Sequence, residues 1–234
     1  MEKITVGELS IFVTANCNLK CAHCLRGENF DLNIDEKTIR NTFSKIDEIG
    51  ALVITGGEPF YSEETIERIE IITHAIKENN VIVHQIGIIT NGTIYNKKME
   101  ETLRRLYELA DNKKNCVMAV SEDKYHQAEL KSVGRAKKLK ESIEEQEMPI
   151  SFIMQNCNRQ DLCVEKLCVY LDGSVLLHGS LSYDLIQQYT ILNINETKDF
   201  NTELFNYSDS FLNNVDENDI WIAECFKPTR SEIR

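Results

Sequence analysis

The sequence predicts an α/β protein built on a parallel sheet. Three observations carry that expectation: short apolar runs rich in β-branched residues, amphipathic stretches between them, and regular alternation of the two through residue 155. Residues 9–13, 52–55, 81–90, 117–121 and 150–154 read as buried strands. Helical spacing links Ile39, Phe43, Ile46 and Ile49, then Ile66, Ile69, Ile72 and Ile76. It continues through Met99, Leu103, Leu106 and Leu109, and again through Val133, Ala136, Leu139 and Ile143. Asp35 and Ser62 stand where N-caps belong. Such units build either an open doubly wound sheet or an incomplete (β/α) barrel, and periodicity alone does not separate the two.

The character changes near residue 155, which divides the chain into residues 1–156 and an extension over 157–234. In the extension, residues 168–177 read as a tight hairpin turning at Asp172-Gly173-Ser174. The remainder is rich in Asn and Asp with scattered apolar anchors, consistent with a small region of one or two short helices packed on the main unit.

Composition narrows the function. The 234 residues carry a net charge of −12, with no basic cluster to offset it, so a nucleic-acid backbone or an anionic membrane surface would be repelled. No apolar run approaches the length of a bilayer span, and the N-terminus lacks the apolar core of a secretory signal. The expected setting is the cytoplasm. Eight cysteines there call for metal ligation rather than extracellular cross-links, and six of them fall in two bunches.

Each expected strand is followed at once by residues that packing does not require. These are Cys17, Cys21 and Cys24; Gly56-Gly57-Glu58-Pro59; Thr90-Asn91-Gly92; Ser121, Asp123 and His126; and Gln155, Asn156 and Cys157. Parallel α/β architectures bind ligands at the carboxyl ends of their strands, so the five groups describe one site. Within it, three closely spaced thiols lack a fourth of matched spacing. Zinc wants four ligands, commonly as two separated pairs. A [4Fe–4S] cluster held by three thiolates leaves one iron open, which suits this spacing better. Gly56 and Gly57, without Cβ atoms, let the backbone approach a ligand closely, and Glu58 offers a charge-assisted acceptor for an ammonium group. A plain strand-to-helix turn before Pro59 is the alternative.

The Cx3Cx2C stretch, with His23 before its last Cys, resembles the cluster motif of the radical S-adenosylmethionine (SAM) superfamily, and Gly56-Gly57-Glu58-Pro59 is similar to that family's second motif. The resemblance covers roughly residues 8–155 and implies an open, incomplete (β/α) barrel. It further implies that Cys17, Cys21 and Cys24 hold a [4Fe–4S] cluster whose open iron is chelated by SAM. Glu58, with the backbone of Gly56 and Gly57, would receive the methionine amino group, and His23 would lie beside the adenine. Asn91 would touch the ribose or carboxylate of SAM, unless Asn91-Gly92 is only a turn. Ser121 would reach SAM, while Asp123 or His126 would face the substrate as proton donor or hydrogen-bond partner. The plainer reading makes Asp123 a helix cap and His126 a solvated side chain; Arg135 reaches SAM or stays in solvent.

The second cysteine group is similar to the start of the auxiliary-cluster domains called SPASM or twitch, although His178 stands where those domains carry Cys. Cys157, Cys163 and Cys168, with His178 or Cys225, would hold an auxiliary iron–sulfur cluster, form a zinc site, or persist as free thiols in a degenerate domain. The expected chemistry is reductive cleavage of SAM to a 5′-deoxyadenosyl radical that abstracts hydrogen from a substrate. A flavodoxin or ferredoxin would supply the electron. A ribosomally made peptide is the favoured substrate, a small metabolite or nucleotide the alternative. A non-catalytic zinc or iron–sulfur regulatory module is the reading from another class.

Overall fold

Strand β1 (Ile4–Phe12) anchors a sheet that has eight strands among the described residues. The computed structural model describes residues 3–21, 24, 29, 31–95, 97–121, 126, 151–155, 166–176, 192–199 and 203. In chain order, β1 leads to α1 (Glu36–Ser44), β2 (Ile46–Thr55), α2 (Glu63–Asn79), β3 (Ile82–Thr90) and α3 (Lys97–Tyr107). Then come β4 (Val117–Ser121), β5 (Ser151–Gln155), β6 (Lys166–Val169), β7 (Ser174–Leu176) and β8 (Leu192–Asn193). The strand order is β5-β4-β3-β2-β1-β6-β7-β8. Every pairing from β5 to β6 is parallel, and β6–β7 and β7–β8 are antiparallel.

The two faces of the sheet differ. Register aligns Leu9, Leu52 and Ile86 across three strands, and Ile11, Ile54, Ile88 and Met118 across four. All seven are buried, and the same core takes in Ile39 and Phe43 of α1, Ile66, Ile69 and Ile72 of α2, and Leu103 and Leu106 of α3. On the opposite face Ala51, Val53, Gln85, Ile89, Val117, Ala119 and Ser121 remain partly exposed. A doubly wound sheet buries both faces under helices. Here the described helices cover one face, and the other is the interior of an open, incomplete barrel. That resolves the alternative left open by periodicity.

The N-caps fall where expected: Asp35 accepts from the N–H of Thr38 at 2.6 Å, and Ser62 from that of Thr65 at 3.2 Å. One helix is shorter than its spacing implies. α1 ends at Ser44, and Ile46 and Ile49 belong to β2, both buried. Their three-residue interval fits a helix, but pairing of Ile46 and Ile49 with Ile4 and Val6 on β1 satisfies this backbone instead. The expected helix through Val133 and Ile143 lies outside the described residues.

The Asp172-Gly173 hairpin forms as expected. Gly173 takes φ +83°, and Asp172 accepts from both the N–H and the hydroxyl of Ser174 at 2.9 Å. It is not merely packed against the main unit. β6 pairs in parallel with β1, so the hairpin continues the same sheet. Tyr170 stacks on Phe12, with ring centroids 4.4 Å apart and planes inclined by 11°. Asn195, just past β8, donates to Thr38 of α1 at 2.7 Å and accepts from Asn41 at 2.8 Å. Among the described residues, no helix is long and apolar enough to cross a membrane.

Candidate cofactor site at the strand ends

The chain leaving β1 is clamped on both sides. Val13 donates to the carbonyl of Thr55 at 2.9 Å and accepts from Ile34 at 3.0 Å, while Ala15 donates to Leu32 at 2.9 Å. Asn16 is held by the Thr14 hydroxyl at 3.0 Å and donates its amide to Asp31 at 3.0 Å. These bonds deliver Cys17 to a fixed place above the sheet.

The glycine pair after β2 packs against that same segment. Gly57 donates to the Thr14 carbonyl and Glu58 to the Asn16 carbonyl, each at 2.7 Å. A methyl group at Gly57 would lie 2.0 Å from the Asn16 oxygen, and one at Gly56 would lie 2.7 Å from the Thr14 oxygen. The positions of the missing Cβ atoms are taken by the chain's own Thr14–Asn16 backbone, because strands β1 and β2 are neighbours and their exits meet.

Glu58 is fully buried. Its Oε1 accepts from the Thr90 hydroxyl at 2.8 Å and the Phe60 N–H at 3.1 Å; its Oε2 accepts from the Asn91 N–H at 2.7 Å. Burial pushes its carboxyl up to about 7 against the opposing pull of these donors. The carboxylate therefore ties the exit of β2 to the exit of β3.

Asn91, in turn, ties the exit of β3 to the cysteine loop. Its Nδ2 donates to Asn18 Oδ1 at 2.9 Å and to Cys17 Sγ at 3.7 Å. Its Oδ1 accepts from the N–H and hydroxyl of Thr93 at 3.0 and 2.6 Å. Asn18 closes the ring by donating to Thr93 at 2.8 Å. Cys17 Sγ also accepts from the N–H of Leu19 at 3.4 Å. Burial raises the Cys17 thiol above its ordinary value; Glu58 and Cys24 add to that rise, and the Leu19 and Asn91 donors oppose it. Cys17 and Cys21 are half-buried, Cys24 is exposed, and Cys24 donates its N–H to the Cys21 carbonyl at 2.9 Å.

The structure thus gathers Cys17, Gly56, Gly57, Glu58 and Asn91 at one edge. Ser121 ends β4, opposite Gln155 of β5, and is half-buried, as is His126. His23, Asp123, Cys157, Cys163, His178 and Cys225 lie outside the described residues. Cys168 is buried on β6, in register with Ser10, and Cys116 is likewise core. Sequence reasoning missed Thr14, Asn16, Asn18 and Thr93, which hold the loops together; short polar residues in loops carry no pattern that marks such a role. Among the described residues, no three His, Cys, Asp or Glu side chains converge on a point suited to a single metal ion.

A family model described as the Radical SAM superfamily matches residues 11–145. The chain belongs to the radical SAM superfamily. An uncharacterised protein of Methanocaldococcus jannaschii is 32% identical over 101 residues, 42% of this chain and 35% of that protein. The chain thus spans about a third of the length of this curated relative. Among solved structures, native anSMEcpe with bound AdoMet and the Cp18Cys peptide matches at TM-score 0.55 and 14% identity, over 96% of this chain and 84% of that one. The same protein with AdoMet and the Kp18Cys peptide matches at TM-score 0.58 and 16% identity, over 97% and 92%. This likeness is one of fold.

The family's cofactors are a [4Fe–4S] cluster and SAM, and the donor set suits them. Cys17 presents its sulfur beside two N–H donors, which stabilise a thiolate there and oppose the rise that burial imposes on the thiol. When bound, the pair supplies one-electron cleavage of the sulfonium and a 5′-deoxyadenosyl radical. Cys17 follows β1 on a segment that the contacts of Thr14, Asn16 and Asn18 tie to the exits of β2 and β3.

Proposed function

We propose that this radical SAM enzyme takes hydrogen from a peptide. The observation that carries the site is the chain of contacts from Glu58 through Asn91 to Cys17, which joins the thiol loop to the second family motif across three strand ends. In this reading Cys17, Cys21 and Cys24 hold the cluster. Glu58, Gly56 and Gly57 shape the SAM side of the site through the loops they pin. His23 and Ser121 line the same cofactor, and Asp123 and His126 face the substrate. A flavodoxin or ferredoxin delivers the electron, in the reducing setting of the cytoplasm that free thiols favour.

Two features support a peptide. The barrel interior is partly exposed, lined by the small residues Ala51, Val53 and Ala119, and anSMEcpe of similar fold carries a bound peptide. The experiment is isotope transfer. Reconstituted, reduced protein is given SAM with perdeuterated peptides in one arm and perdeuterated nucleosides and metabolites in the other. Mass spectrometry then reads deuterium in 5′-deoxyadenosine. Deuterium from the peptide arm is expected; deuterium from the other arm alone would overturn the peptide substrate.

A further inference from the structure

Asn91 stands one residue beyond β3, with its backbone N–H committed to Glu58 and its side-chain amide committed to four protein contacts. An amide has two N–H donors and one oxygen with two acceptor sites. In Asn91 both N–H groups and both acceptor sites are used, so nothing of the amide remains for another ligand. One of the four bonds ends on a sulfur that the family motif assigns to the cluster.

We infer that Asn91 is a positioning residue that fixes the Cys17 sulfur by an N–H···S bond and thereby raises the reduction potential of the cluster. The inference rests on the radical SAM reading of Cys17. Hydrogen bonds to cluster sulfurs withdraw negative charge from the thiolate and favour the reduced, more negative state. Cys17 receives two such bonds, from Asn91 Nδ2 and from the Leu19 N–H. The Leu19 bond is local to the cysteine loop. The Asn91 bond comes from a different strand, so its length depends on how well the exits of β1 and β3 hold together.

Glu58 and Thr93 set that distance from opposite sides. Glu58 fixes the Asn91 backbone, and Thr93 fixes the amide oxygen so that the amide nitrogen points toward Cys17 and Asn18. Thr93 itself has no contact with the sulfur in this network. It therefore separates loss of a sulfur bond from loosening of the loop.

The test is an EPR-monitored redox titration of the anaerobically reconstituted protein and three variants. Asn91→Leu removes the amide. Asn91→Asp keeps the acceptor for Thr93 but removes both N–H donors. Thr93→Val loosens the loop without removing a donor to sulfur. Both Asn91 variants are expected to titrate at a more negative midpoint than wild type, at equal iron content, with Thr93→Val, which keeps its backbone N–H bond to the Asn91 oxygen and leaves the sulfur donor in place, shifted by less than either. A wild-type midpoint in the Asn91 variants, or an equal shift in Thr93→Val, would overturn the inference. If an Asn91 variant does not hold its cluster, wild-type protein carrying the heavy nitrogen isotope in its asparagine side chains decides by pulsed EPR. Hyperfine coupling of that nitrogen to the reduced cluster is expected, and its absence overturns the assignment. A wild-type protein that binds no cluster at all would instead refute the radical SAM reading.

Discussion

Glu58 Oε2 and the backbone nitrogen of Asn91 lie 2.7 Å apart, joining the exits of two adjacent parallel strands with a fully buried carboxylate. The sulfur of Cys17 lies one side chain further along the same chain of contacts. Two sequence motifs about forty residues apart thus meet through a residue that belongs to neither.

The buried carboxylate makes stability depend on pH. The Glu58 carboxyl is raised to about 7 in the folded protein from an ordinary 4.5. The folded state therefore holds a proton that the unfolded chain has already released over that interval. The stabilisation is fully present below the unfolded value and is lost as pH rises through the folded one. A difference of this size corresponds to about 3 kcal/mol. Urea unfolding of the metal-free protein should show the stability difference between wild type and Glu58→Gln shrinking or reversing by that amount between about pH 4.5 and 8. A difference that stays constant across the range would contradict the assignment.

The glycine pair has a steric purpose that substitution exposes. Gly57→Ala places a methyl group 2.0 Å from the Asn16 oxygen, so the β1 exit must move. The expected cost is about 2–4 kcal/mol, with loss of iron on reconstitution. Gly50→Ala is the control: its methyl group would meet the Gly7 carbonyl oxygen at 2.5 Å, in the middle of β2 and away from the strand exits. It should destabilise by a similar amount yet keep the iron of whatever protein folds. Equal iron loss in both variants would show that the Gly57 effect is one of folding alone.

Much of this architecture was legible in the sequence, and the misses have physical causes. The strand at 117–121 and the caps at Asp35 and Ser62 follow from local chemistry and match the structure. Ile46 and Ile49 misled because an interval of three suits a helix as well as a strand, and only the partner strand decides. The barrel could not be told from an open sheet until register showed which face the described helices leave uncovered. The cysteine and glycine motifs announced a site, but not that the missing Cβ atoms of Gly56 and Gly57 admit the chain's own Thr14–Asn16 backbone. Residues such as Asn18 and Thr93 act through distance to other loops, which no sequence spacing records.

The C-terminal thiols give a count. Cys168 sits at a buried position of β6, flanked by β1 and β7, as part of the apolar core. A variant with Ala at Cys17, Cys21 and Cys24 together is therefore expected to retain no iron or sulfide after reconstitution. Residual cluster in that variant would assign an auxiliary site to the second cysteine group instead.

The most direct measurement is anaerobic reconstitution followed by reduction and quantification of 5′-deoxyadenosine from SAM, with Cys21→Ala in parallel. Wild-type protein should bind iron and sulfide and yield 5′-deoxyadenosine, while Cys21→Ala should do neither. Iron binding unchanged by Cys21→Ala, or a fully reconstituted and reduced wild type that leaves SAM intact with substrate present, would contradict the account.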